Sequence, residues 1–245
     1  KKLFSKHKFL CVLVQTDTAI HDLIIMKLAK RQNIPIILLK HGIQTRSKNF
    51  LHHERFYRSI PVNSNRCLVW GNADLKQLTE NGILRNDIDV LGAPFYDKIF
   101  QNKIPSYQEL DNFILFATDF KANHKLETIT VQSMKKYEMI INSVYNSVMK
   151  HDKKLVIRPH PLKDIGEKEL AKNLDPGIKV VIGGSILPLI KSSSLVVVTD
   201  NSSVILEALA LKKPVISIKM DKDLDDDEVC NSNACVRTSI QDFES

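Results

Sequence analysis

Three short stretches carry side chains able to hold a phosphate or move a proton, and each directly follows an apolar run. In the first, Leu195–Thr199 runs into Asp200, Asn201, Ser202 and Ser203, then into the apolar stretch Val204–Leu209. Small hydroxyl and amide residues between a strand and a helix leave backbone N–H groups and the positive end of the helix dipole facing the strand tip. That is an arrangement suited to an anion, phosphate above all. Glu207, one turn into the helix, is placed to accept hydrogen bonds from a ribose diol. A plain helix cap at Asn201 or Ser202, with Glu207 favouring the dipole, explains the same residues without a ligand.

In the second stretch, Arg158-Pro159-His160-Pro161 follows Leu155–Ile157. Two prolines stiffen the turn that presents the imidazole. His160 can donate to a phosphate oxygen, with Arg158 and Lys163 adding charge; a capped surface loop with an incidental histidine is the bland alternative. The third stretch is Lys40-His41-Gly42 after Pro35–Leu39. Gly42 allows a tight turn, so His41 projects from a strand tip, and an ordinary imidazole pKa near 6.5 suits a general base. Arg46 and Lys48 follow as anion contacts on the acceptor side, and Asp17 at the end of the first strand is either catalytic or a helix cap. Gly183 and Gly184 either let a nucleobase approach the backbone or only form a turn, and Ala117-Thr118-Asp119 opens the second half. His52-His53 has no third ligand at metal-like spacing, so no metal site is expected. No G-x-S-x-G, P-loop or G-x-G-x-x-G pattern occurs, which argues against serine hydrolases, P-loop kinases and typical NAD enzymes.

The elements that must position these residues are legible as alternation. Continuous apolar runs at Phe9–Val14, Pro35–Leu39, Cys67–Trp70 and Ile88–Leu91 are separated by helix-length stretches over Ala19–Arg31 and Ala73–Asn81. After the polar segment Gln101–Asp111 the pattern restarts. Phe113–Ala117, a long helix over Lys125–Lys150, Leu155–Arg158, Ile178–Ile182, Leu195–Thr199, a helix from Ser202, and Pro214–Ile218 follow in turn. Unbroken apolar strands in β-α-β order imply parallel sheets covered on both faces. The expectation is an α/β fold of two Rossmann-like domains. Residues 1–100 form an N-terminal acceptor-side domain that is incomplete, 101–112 a linker, and 113–245 a C-terminal domain that binds a nucleotide donor. The missing initiator Met and the early stop after the last strand suggest an excised fragment.

Composition fits such a chain. It has 245 residues, 43% hydrophobic and 26% charged, with 8 Gly and 9 Pro, which excludes collagen, a disordered tail and a small disulfide scaffold. No apolar run reaches the roughly 18–20 residues of a membrane span, and Lys1–Phe9 lacks the apolar core of a signal peptide. The net charge is +7, although Asp221–Glu228 sets six acids against one Lys. The rest of the chain is therefore strongly basic, as suits an anionic partner. With no ribonucleoprotein box and no helix-turn-helix, nucleic acid is not expected. Of four cysteines, Cys11, Cys67, Cys230 and Cys235, two lie in strand-like runs and read as buried thiols, consistent with a reducing cytoplasm.

Taken in order, the His41-Gly42 loop, Val69-Trp70-Gly71, Val90–Asp97, Arg158–Pro161 and Thr199–Leu209 resemble bacterial and archaeal surface-polysaccharide glycosyltransferases of GT-B fold. The resemblance, over about Phe9–Ile218, is greatest to the relatives that include CDP-glycerol glycerophosphotransferases and the capsule sialyl- and Kdo-transferases. It implies a cytoplasmic enzyme of cell-envelope polysaccharide synthesis. The donor is a nucleotide-activated substrate of CMP/CDP or UDP type, the acceptor a glycan, with no cofactor and no metal. Peripheral contact with the inner membrane face fits the same picture, and the oligomeric state is left open. His160 matches the phosphate-contacting and catalytic His of the His-Pro motif, Ser202 and Ser203 the paired phosphate-binding serines, Glu207 a ribose-binding acid, and His41 a general base. The loop reads Ile43-Gln44-Thr45-Arg46 where the glycerophosphotransferases have Pro and Lys. Non-hydrolysing UDP-N-acetylglucosamine 2-epimerases share the architecture and form the second reading. Their paired acids are here Glu207-Ala208, and their His-x-Glu stretch has no Glu between His41 and Arg46. A non-catalytic nucleotide- or glycan-binding protein of the same fold is the third.

Overall fold

The computed structural model describes residues 4, 6–17, 19–40, 63–80, 82–118, 131–160, 167–200, 202–220, 229 and 232–243. It divides into two compact units, Lys1–Phe95 and Tyr96–Ser245.

In the first unit, strands β1 (Val12–Val14), β2 (Ile36–Leu39), β3 (Arg66–Val69) and β4 (Ile88–Val90) form a parallel sheet in the order 1-2-3-4. Val14, Leu38, Cys67 and Ile88 are aligned across it and buried on one face. The same core takes in Met26 and Ala29 of helix α1 (Ile20–Lys30) and Leu78 of helix α2 (Asn72–Glu80). After Glu80, Gly82 takes φ +85°, a left-handed value that favours glycine, and its N–H donates to Thr79 O at 3.0 Å, so the chain turns out of the helix. On the opposite face Leu13 is 60% exposed, and Arg66 pairs bidentately with Asp89 at 2.7 and 2.8 Å. The expectation of a sheet covered on both faces is therefore not met at β1.

The second unit meets it along its central strands. Strands β5 (Phe113–Ala117), β6 (Leu155–Arg158), β7 (Lys179–Val180), β8 (Ser193–Thr199), β9 (Val215–Lys219) and β10 (Val236–Ser239) form a parallel sheet in the order 10-9-8-5-6-7. Along β5 alternate side chains enter two different cores. Phe113, Leu115 and Ala117 pack with Leu187, Leu189 and Ile190 of helix α3 (Leu187–Ser192) and with Ile205 and Ala208 of helix α4 (Val204–Ala210). Ile114 and Phe116 pack on the other face with Tyr137, Ile140, Ile141, Val144 and Val148 of helix α5 (Val131–Lys150), and with Ala171 of helix α6 (Glu167–Leu174). The 137, 140, 141, 144, 148 spacing is one helical stripe, which is why α5 lies flat on the sheet. Burying a side chain such as Phe116 contributes about 1.5–3 kcal/mol.

The segment expected as a linker, 101–112, is part of this second unit. Ile104 is buried in its core, Tyr107 meets Phe113 edge-on at 6.1 Å between ring centroids, and Tyr107 N–H donates to Ser192 Oγ at 2.9 Å. Strand β10 and helices α3 and α6 add to the elements expected from the sequence.

Candidate functional site

Starting from β5, the chain steps outward through β6 and β7, then returns to the other side of β5 with β8 and continues to β9 and β10. This is the doubly wound order 3-2-1-4-5-6, and its reversal point lies between β5 and β8. Such sheets bind ligands in the crevice outside the carboxyl ends of the strands at that point. Here the ends are Thr118 after β5 and Thr199, Asp200, Ser202 and Ser203 after β8, all within one unit.

Asp200 is a brace of this crevice. It is buried with φ +50°; its backbone N–H donates to Ile218 O at 2.9 Å, its Oδ1 accepts from Met220 N at 2.7 Å, and its carbonyl accepts from Ser217 Oγ at 2.7 Å. These bonds tie the tip of β8 to β9 and fix the path into α4. The cap expected at Asn201 or Ser202 falls instead at Ser203, whose side chain makes no capping bond. Ser202 is buried and its Oγ accepts a long bond, 3.4 Å, from Val204 N, while Ser203 is exposed. Asn201 lies outside the described residues.

Glu207 is 8% exposed, and its Oε2 has no hydrogen-bond partner among the described residues. Burial pushes its carboxyl up to about 7. Tyr96, just before Asp97, is pushed up to about 12 by burial and then by the nearby Glu207 charge. A buried carboxylate lacking a donor is costly unless something supplies one. Sequence reasoning found Glu207 by its place in the helix; Tyr96 falls within the Val90–Asp97 stretch, where the sequence assigns it no role.

Arg158 and His160 follow β6. Arg158, expected as a phosphate contact, is buried and gives its donors to the glycine loop: Nη1 to Val181 O at 3.0 Å and to Gly183 O, and Nη2 to Gly184 O at 2.7 Å. Its guanidinium therefore shapes the loop, because burial beside three carbonyls leaves it little reason to face a solvent-borne anion. Burial also pulls its pKa down. Gly183 and Gly184 adopt φ +75° and +70°, and a Cβ on either would meet no atom within 4 Å. The loop is thus open as well as left-handed. His160 is half-buried at the end of β6, behind buried Pro159.

The acceptor-side residues His41, Arg46 and Lys48 lie outside the described residues, as do His52-His53, Asp119, Lys163, Cys230 and Asp221–Glu228. The strand ends around them are described. Asp17 is not the cap of α1, a position held by Ala19 without a side-chain bond. It is fully buried, and its Oδ2 accepts from Asn63 N at 2.5 Å and Ser64 N at 3.4 Å, holding a segment 46 residues away. Lys40 is an ion partner of Asp74 and lies over the Trp70 ring at 5.6 Å, while Asp74 Oδ2 accepts from Trp70 N at 3.0 Å and Gly71 N at 3.2 Å. Cys67 beside them is pushed up to about 12 by burial, which outweighs the opposing pull of Lys40, so its thiol is inert. Cys11, expected as buried, is half-buried, while Cys235 is buried.

Among the described residues no group of three or more His, Cys, Asp or Glu is placed to hold a metal ion, and no helix is long and apolar enough to cross a membrane. Arg237 on β10 was not singled out by its sequence; its Nε, Nη1 and Nη2 are buried without a hydrogen-bond partner among the described residues.

Residues 2–225 match the profile of the LIC12162 family transferases. No curated protein matches the chain. Among solved structures it is similar to the UDP-GlcNAc 2-epimerase of Methanocaldococcus jannaschii in complex with UDP-GlcNAc and UDP, at 21% identity and TM-score 0.69 over 98% of this chain and 67% of that one. The UDP-GlcNAc 2-epimerase of Neisseria meningitidis bound to UDP-GlcNAc gives 18% identity and TM-score 0.71 over 99% of this chain and 68% of that one. Anabaena HepE in complex with UDP and glucose gives 12% and 0.54, over 99% and 67%. At such identities the likeness is one of fold, and it bears out the α/β, Rossmann-like architecture. The chain spans about two thirds of the length of these structures.

Proposed function

Because the chain belongs to the LIC12162 family of transferases, we propose that it moves a sugar or glycerophosphate group from a nucleotide-activated donor to a surface-glycan acceptor. The observation that carries this reading is the buried Oε2 of Glu207, without a donor among the described residues, in the helix that follows β8 at the reversal point of the second sheet. A ribose offers two hydroxyl donors to such an oxygen. In this reading the phosphates lie against Ser202 and Ser203 with Asn201, and His160 donates to the phosphate oxygen from which the transferred group departs. The base packs on the open Gly183–Gly184 loop that Arg158 holds in shape. His41 takes the proton of the acceptor hydroxyl as that oxygen attacks the donor, with Arg46, Lys48 and Asp17 on the acceptor side. Protein groups alone meet the charge on the leaving phosphate, without a metal or cofactor. Donors fixed in advance toward developing charge are worth on the order of 10²–10³ in rate each.

Envelope polysaccharide synthesis on the cytoplasmic side of the inner membrane is the setting this chemistry suits. A second reading, isomerisation of a UDP-sugar, is favoured by the UDP-GlcNAc 2-epimerases among the similar structures. It requires no acceptor.

Calorimetric titration with CMP, CDP, UDP and GDP tests the donor site, run on the natural chain, His160→Ala and Glu207→Gln. Selective binding of one nucleotide that weakens at least tenfold in either variant, about 1.4 kcal/mol, is the expected result. Failure of a folded chain to bind any of the four overturns the site. Turnover of UDP-GlcNAc without an acceptor would establish the second reading in place of the first.

A further inference from the structure

The second unit carries a groove on the edge of its sheet opposite the carboxyl-end crevice. It has a volume of about 400 Å³ and lies where Lys154 and Leu155 begin β6, Ile178 and Lys179 begin β7, and Tyr145 and Met149 of α5 meet Tyr107–Leu110. Volumes of about 300–1,000 Å³ are usual for small-ligand sites. Strand β6 separates the groove from Arg158, and three residue steps along a strand span about 10 Å.

The lining is unlike a phosphate site. Two carboxylates face two ammonium groups, and both carboxylates are already engaged. Glu109 pairs with Lys179 at 2.5 Å, and Asp175 accepts from Tyr145 Oη at 2.8 Å and from Gly177 N at 2.7 Å. The Lys179 ammonium holds the Glu109 carboxyl below its ordinary range, and the Gly177 N–H, then the Tyr145 hydroxyl, hold that of Asp175 below it, so both stay ionised and the groove is neutral overall at pH 7. Two half-buried tyrosines, Tyr107 and Tyr145, share the same lining. Tyr107 is steadied edge-on by Phe113, and Tyr145 by Asp175. Rings already fixed in place offer apolar area at little entropic cost, with a polar rim around them. A ligand suited to these surroundings is uncharged, has flat faces of C–H groups, and carries hydroxyls at its edge.

We propose that this groove is an accessory saccharide site that holds a neutral segment of the glycan acceptor away from the transfer site. The proposal rests on the glycan-acceptor reading above. An aromatic groove whose charges balance, with Lys179 already paired to Glu109, gives a phosphate little net attraction, so the two sites of the unit take different ligands. Holding the chain at a second point raises its effective concentration at the first.

Saturation-transfer NMR with chitotetraose and maltotetraose as probes tests this, together with UDP and CDP on the same samples. One of the tetrasaccharides is expected to bind the natural chain, to remain bound in saturating nucleotide, and to lose at least tenfold in affinity in both Tyr107→Ala and Tyr145→Ala. Tyr145→Leu serves if the alanine variant melts early. Displacement of the saccharide by nucleotide, binding unchanged in both variants, or no binding of either probe would overturn the accessory site. Nucleotide binding in the same tubes reports separately on the crevice, so loss of that signal alone counts against the donor site and not the groove.

Discussion

The guanidinium of Arg158 donates to the carbonyl of Gly184 across 26 residues of chain, at 2.7 Å, and holds the glycine loop through Val181 and Gly183 as well. Lysine keeps the charge but loses the planar fork. Arg158→Lys should therefore lower unfolding free energy by about 1–3 kcal/mol for a carbonyl left without its donor. Nucleotide affinity should fall with it, through loss of loop shape. Urea unfolding and calorimetry on the same variant decide the matter. A variant of unchanged stability that still loses nucleotide affinity would identify Arg158 as a direct phosphate contact instead.

Stability and ligand affinity should run in opposite directions with pH at Glu207. Its carboxyl titrates near 7 in the folded chain and near the ordinary 4.3 when unfolded. Between those values the folded chain keeps a proton that the unfolded chain has released. The contribution to stability is thus complete below about pH 4.3 and is lost as pH rises through 7, a change of about 3–4 kcal/mol. Glu207→Gln should lack this slope, and superimposable pH profiles for the two proteins would refute it. Ribose hydroxyls donate best to the ionised form, so ribonucleotide affinity should rise between pH 6 and 8.

How much of this was legible from sequence follows from where the information lay. Unbroken apolar runs such as Phe113–Ala117 announce a strand buried on both sides, and the spacing of Val131, Met134, Ile140, Ile141, Val144 and Val148 announces the apolar face of a helix, to which the structure adds Tyr137. Strand β10 carries Arg237, Thr238 and Ser239 and pairs only at the sheet edge, so no apolar run marks it. Helix α3 runs directly into β8 at Ser192–Ser193, and the polar run Lys191–Ser194 that spans the junction looks like a loop rather than a helix end and a strand start. The same limit explains the site. Glu207 follows from helical spacing, whereas the partners of Arg158 and Asp17 come from loops 23 to 47 residues distant, which only the tertiary fold brings near. Segment 101–112 looks like a linker because its polar residues outnumber the few, Ile104 and Tyr107 among them, that pin it to the core.

Arg237 gives a sharper test of an unsatisfied group. Its three guanidinium nitrogens are buried without partners among the described residues. Replacing a buried charge by an apolar side chain of similar length removes the desolvation penalty, an effect of about 1–4 kcal/mol in favourable cases. Arg237→Met should raise the urea midpoint with the slope unchanged. A midpoint lowered by the substitution would mean that the guanidinium is paired in solution.

The Lys40–Asp74 pair at the tip of β2 is the complementary case, a buried charge that is well supplied. Both side chains are largely buried, at 7% and 14% exposure. Asp74 also receives the backbone N–H groups of Trp70 and Gly71, so it anchors the turn after β3 as well as the lysine at the tip of β2. Removing one member of such a pair strands the other, at about 3–5 kcal/mol. Asp74→Asn should therefore destabilise strongly, because the Lys40 ammonium then sits over Trp70 with no counter-charge. Lys40→Met should cost less, since the Asp74 carboxylate keeps its two backbone donors. The double variant should recover part of the loss seen in Asp74→Asn, giving a coupling energy well above the few tenths of a kcal/mol typical of independent sites. Additive losses in urea unfolding would show that the pair acts as two separate surface charges.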